Sequence, residues 1–159
     1  MGDLEMTVEL DLAVVSDVLE DPSPEFPRTY AQRELGSFAS VDAQTADRII
    51  ESLEEGKFRG VASELTLLEL TVRPLRIGRQ DAADDYEVLL DYFPNFELIP
   101  ISREILLEAA SLRARQNLRT PDAIQIATGL RAGATLAVTN DKAWRSVPLI
   151  ETLLLPDSR

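Results

Sequence analysis

Apolar and polar residues change their period several times along this chain, and each change marks an element. Residues 6–10 alternate as a short strand does, and Val14, Val15, Val18 and Leu19 then recur at the spacing of a short amphipathic helix, with Asp11 at the junction. In residues 21–40, Pro22, Pro24 and Pro27 interrupt regular structure and predict a loop or flap. Residues 42–56 carry Ala46, Ile49, Ile50 and Leu53 on one helical face and end at Gly56, a residue suited to a C-cap. A second strand is predicted over 58–62. Ser63 then caps a helix bearing Leu65, Leu68 and Glu69, which should stop near Pro74. An amphipathic helix over 81–92, a strand over 96–101 and a long helix over 102–116 follow, the last favoured by Ser102 and Glu104 at its start. Thr120 is the expected cap of the next helix, with Pro121 in its first position and Gly133 at its end. Residues 135–138 form a fourth strand and 149–155 a short edge strand.

Strands that alternate with helices predict an α/β fold with a parallel sheet covered on both faces, and no internal repeat is present. In such a sheet the functional groups gather beyond the carboxyl ends of the strands. Four acids from four separate elements map there: Asp11, Glu69, Asp122 and Asp141. Two carboxylates about 4 Å apart repel by about 4 kcal/mol at an effective dielectric near 20, so such a cluster needs protons or a cation. Each acid also has a purely structural reading. Asp122 complements a helix N-terminus, Asp141 can satisfy backbone donors in its turn, Asp11 fits a solvated strand face and Glu69 a solvated helix face.

Composition narrows the chemistry. With 159 residues the chain is expected to form one domain, and with 45% hydrophobic and 28% charged residues it is too apolar for disorder. It contains 0 Cys and 0 His, which removes thiolate chemistry, disulfides and imidazole ligands or bases. Carboxylates then favour Mg²⁺ or Mn²⁺, hard ions that take oxygen ligands and suit attack of water on a phosphodiester. A net charge of -12 repels polyanions overall, so a nucleic-acid partner would need a local basic patch. Arg113, Arg115, Arg119 and Arg131 flank the Asp122 segment as candidate phosphate contacts, against the plainer reading of a solvated helix face. No membrane-spanning run and no signal-peptide pattern is present, which predicts a cytoplasmic protein. Trp144 is expected to pack its loop onto the core, and Tyr86, Tyr92, Phe93 and Phe96 to serve core or dimer contacts. The absence of a Gly-rich loop argues against P-loop or dinucleotide binding.

Thr120-Pro121-Asp122-Ala123-Ile124 with Ala127, then Gly133-Ala134 and Val138-Thr139-Asn140-Asp141, resembles the C-terminal half of PIN domains, particularly the VapC-type ribonuclease toxins. Ser63 to Leu70 resembles the family's helix that carries an acidic ligand. The likeness runs from about Ala46 to Leu155. It implies a single PIN-like domain over residues 1–159, an α/β/α sandwich on a central, mostly parallel sheet of four to five strands. It also implies metal-site acids at Glu69, Asp122 and Asp141 with Thr139 in support, Mg²⁺- or Mn²⁺-dependent RNA cleavage, a cognate antitoxin and a homodimer. The family's first motif is an apolar strand ending in Asp followed by two polar residues. Here the match is Asp11 followed by Leu12 and Ala13, or, in a rival register, Asp17, and residues 21–40 look inserted. Two other readings remain beside the ribonuclease. One is a PIN-like binding module with weakened catalysis, favoured by Leu12 and Ala13. The other is a Mg²⁺-dependent aspartyl phosphatase or phospho-acceptor domain built on Glu9, Asp11 and Lys142.

Overall fold

In the computed structural model, residues 12–15, 43–139 and 141–154 are described. The strands are β1 (Leu12–Val15), β2 (Arg59–Ser63), β3 (Phe96–Ile99), β4 (Leu136–Thr139) and β5 (Glu151–Leu154). They form one sheet in the order β3-β2-β1-β4-β5. The helices are α1 (Ala43–Glu54), α2 (Leu65–Arg76), α3 (Gln80–Tyr92), α4 (Arg103–Gln116) and α5 (Thr120–Arg131), with a short 3₁₀ helix over Lys142–Ser146.

β2 pairs parallel with β3 and β4 parallel with β5, while β1 runs antiparallel to both β2 and β4. Among the described residues, four strands therefore point one way and the central one points back. Ala13 pairs with Val61 on one side and Ala137 on the other, and Leu12 pairs with Val138. Residues 12–15 thus form a strand where the pattern predicted the beginning of a helix. A four-residue apolar run fits either period, and pairing on both edges decides in favour of the extended form. The predicted strand over 6–10 and flap over 21–40 lie outside the described residues.

Two apolar clusters flank the sheet. One joins Val61 and Ala137 to Ile105, Ala109 and Leu112 of α4 and to Ala123, Ile126 and Ala127 of α5. The other joins Leu136, Val138 and Leu153 to Ile49 and Leu53 of α1 and to Phe58. Successive residues of a strand face opposite ways, so Leu136 and Val138 serve one layer while Ala137 and Thr139 serve the other. The result is the α/β/α sandwich expected from the sequence.

The helix ends differ from expectation in three places, the first being the start of α2, where the cap position belongs to Glu64 rather than Ser63 and no side chain caps the helix. α2 continues past Pro74 to Arg76, and the turn closes only at Gly78, where the Arg79 N–H donates to the Pro74 carbonyl at 2.9 Å. At the start of α5 the cap position belongs to Arg119 rather than Thr120, and no side chain caps the helix. Ser102 does cap α4, accepting from the Ile105 N–H at 3.3 Å.

Candidate functional site

β4 ends at Thr139 and β2 at Ser63, on the two sides of β1 and on the sheet face covered by α5. α5 begins at this edge. Pro121 costs nothing in the first turn, where a missing N–H has no carbonyl to meet, and Asp122 gains from the positive end of the helix dipole.

Asp122 is buried and Asp141 is partly covered, and their oxygens are divided in a regular way. Trp144 Nε1 donates to Asp122 Oδ1 at 3.3 Å, and the Ala143 N–H donates to Asp141 Oδ1 at 2.8 Å. The Asp141 N–H in turn donates to the buried Thr139 Oγ1 at 3.0 Å, which fixes the turn beyond β4. The two Oδ2 atoms meet a single guanidinium. Arg119 Nε donates to Asp122 Oδ2 at 2.8 Å, and Arg119 Nη2 donates to Asp141 Oδ2 at 2.9 Å and, more weakly, to Asp122 Oδ1 at 3.3 Å. The Asp122 hydrogen bond, followed by the charge of the same carboxylate, holds the Arg119 pKa above its ordinary value.

Behind this pair, Gln125 Oε1 accepts from the Ser63 N–H at 3.0 Å and its Nε2 donates to Thr66 Oγ1 at 2.8 Å. Asp122 and Gln125 are three residues apart on α5, and Thr66 and Glu69 are three apart on α2. The hydrogen bond therefore ties α5 to α2 at Thr66, one helical turn before Glu69.

Of the residues singled out from the sequence, the structure brings Asp122, Asp141 and Thr139 together. Glu69 is exposed on α2, and among the described residues no group of three acids lies close enough to share one ion. Asp11 and its rival Asp17 lie outside the described residues. Three contributors were not legible as such. Arg119 was one of four candidate phosphate contacts, Trp144 read as packing alone, and Gln125 carried no signal beyond its three-residue spacing from Asp122. Of the remaining arginines, Arg113 donates from Nε to the Leu118 carbonyl at 3.0 Å and Arg131 lies 3.6 Å from Glu108. Both serve the α4–α5 pair.

The α/β/α sandwich thus carries at this sheet edge a carboxylate pair, Asp122 and Asp141, facing the Arg119 guanidinium. The PIN domain family matches residues 35–149, and this chain belongs to that family. A solved chain described as "Toxin-antitoxin complex from Klebsiella pneumoniae" is similar at 25% sequence identity over 59% of this chain and 73% of that one, with a TM-score of 0.48. No curated protein matches.

Proposed function

We propose that this protein is a divalent-metal-dependent ribonuclease of the VapC type, cleaving RNA phosphodiesters with water. PIN domains are as a rule nucleases. The observation that carries the reading is the convergence of Asp122 and Asp141 on one cation at the carboxyl end of β4.

The residues fit a hard divalent ion. Both acids offer oxygen, both direct an Oδ2 at a positive group, and Mg²⁺ is commonly held by one or two carboxylates with water and phosphate completing its shell. When bound, Mg²⁺ or Mn²⁺ would supply a nucleophilic water at neutral pH and offset charge on the leaving oxygen. Asp122 and Asp141 hold the ion in this proposal and Thr139 fixes the Asp141 backbone; Asp11 belongs to the acidic set by family resemblance alone, as does Glu69, which does not group with the two acids in this structure.

A binding module with weakened catalysis is the second reading. It is favoured by Leu12 and Ala13, which occupy strand pairings where the family has polar residues after its first acid. Two partners belong to the proposal, a second copy of the chain and a small antitoxin protein. Leu68, Val72 and Leu75 form an exposed stripe along α2, and Val88, Leu89 and Tyr92 are exposed on α3, which packs against it.

Calorimetric titration of Mn²⁺ into the wild type and Asp122→Asn, run beside an RNA-cleavage assay, tests the function. The ribonuclease reading expects metal-dependent heat and cleavage in the wild type and loss of both in the variant. Metal binding without cleavage would favour the binding module, and absence of metal-dependent heat in the wild type would sink both metal and nuclease roles.

A further inference from the structure

We infer that Arg119 is a displaceable internal cation: it closes the Asp122–Asp141 pair in the metal-free protein and competes with a divalent ion for the same two oxygens. This rests on the metal-site reading above and adds to it a step that the acids alone do not supply.

The division of the oxygens carries the argument. Each carboxylate has one oxygen held by a donor that belongs to the scaffold, Trp144 Nε1 for Asp122 and the Ala143 N–H for Asp141. Each also has an Oδ2 whose donor is the Arg119 head, at 2.8 and 2.9 Å. The scaffold donors lie within a buried ring and a helix start and would remain if Arg119 left. The acids therefore keep their orientation with or without the guanidinium, and what exchanges is only the cation in front of them.

Burial points the same way. The Asp122 side chain is 3% exposed and that of Asp141 29%, whereas that of Arg119 is 74% exposed. An arginine whose stem lies in solvent can swing outward without opening a cavity in the core. The carboxylates cannot follow it. A buried acid facing a second acid is unfavourable without positive charge between them, and here the charge comes from a residue three positions upstream on the same helix start.

The inference predicts opposite consequences for the two sides of the site. Removing a scaffold donor should weaken metal binding, while removing Arg119 should strengthen it, because the ion no longer has to expel a charge-assisted, forked hydrogen-bond set. The expected gain is roughly 10-fold in Mn²⁺ affinity, between the small effect of an exposed pair and the larger one of a hydrogen bond to a buried charge.

The test is calorimetric titration of Mn²⁺ into the full chain as wild type, Arg119→Ala and Arg119→Lys, with thermal melting of each protein in chelator and in saturating Mn²⁺. Arg119→Ala should bind the ion about 10-fold more tightly, and Arg119→Lys, which keeps the charge but not the fork, should fall between. In chelator Arg119→Ala should melt below the wild type, and saturating Mn²⁺ should close that gap, since the guanidinium is then displaced from the acids in the wild type and is absent from the variant. Equal or weaker binding by Arg119→Ala would overturn the inference, and so would a melting gap that persists unchanged in Mn²⁺. If the wild type binds Mn²⁺, Asp122→Asn does not, and Arg119→Ala matches the wild type, this inference alone falls. If no variant binds, the metal-site reading falls with it.

Discussion

Trp144 Nε1 donates to Asp122 Oδ1 across 3.3 Å, joining the turn after β4 to the start of α5 over 22 residues of sequence. The indole is 1% exposed and packs in the same apolar cluster as Ala123 and Ile126. One side chain therefore fills the core and orients a carboxylate, and the two roles can be separated.

Trp144→Phe keeps much of the packing but removes the donor. We expect a loss of about 1–3 kcal/mol in stability, from a buried carboxylate deprived of a partner, and a Mn²⁺ affinity about 10-fold weaker. Urea denaturation and calorimetry check the two parts. Unchanged affinity would mean that the indole packs but does not orient.

Gln125→Met tests the link between α5 and β2. The Ser63 N–H and Thr66 Oγ1 lie in buried residues and both bond the Gln125 amide. An apolar replacement of similar length leaves the Ser63 donor unpaired, which should cost about 1–3 kcal/mol by chemical denaturation. A variant as stable as the wild type would show that the amide is dispensable.

The acid limb of the stability curve should respond to Glu104. Its own backbone N–H, and then the Ser102 hydroxyl, hold its carboxyl below the ordinary value of 4.5. A lowered folded-state pKa gives stability that is present above the unfolded value and is lost as pH falls through the folded one. Glu104→Gln should therefore have a lower urea midpoint than the wild type near neutral pH, and the difference should vanish well below pH 4.5. A gap of constant size across that range would contradict the assignment.

Two glycines with positive φ separate backbone strain from crowding. Gly56 has φ of 70° and a Cβ there would lie 3.3 Å from Asn95 Nδ2, whereas Gly78 has φ of 75° and nothing within 4 Å. Both Gly→Ala variants should lose about 1–2 kcal/mol for the left-handed conformation. Gly56→Ala should lose more, because Asn95 Nδ2 also donates to the Leu53 carbonyl at 2.9 Å and would be pushed from it. Equal losses in thermal melts would remove the crowding term.

The helices were legible because their signals are local. Ser102 caps α4 in the sequence and in the structure, and Asp122 and Asp141 stood out because a helix start and a strand-end turn are recognisable from a few neighbours. β1 was not, because Leu12-Ala13-Val14-Val15 satisfies two periods and its pairing partners, Val61 and Ala137, lie far along the chain. The indole bond to Asp122 was hidden for the same reason. It exists only because the start of α5 and the turn after β4 meet at one sheet edge, a tertiary event that spacing does not announce. Pro74 misled in the other direction, since the helix turn closes beyond it on backbone bonds at Gly78 and Arg79.

The alternation along β4 acts as a ruler for the whole molecule. A slip of one residue would send Leu136 and Val138 into the layer built for Ala137, and would turn Thr139 away from the Asp141 backbone that it anchors. The position of this edge is thus written in side-chain volume, several residues away from any acid.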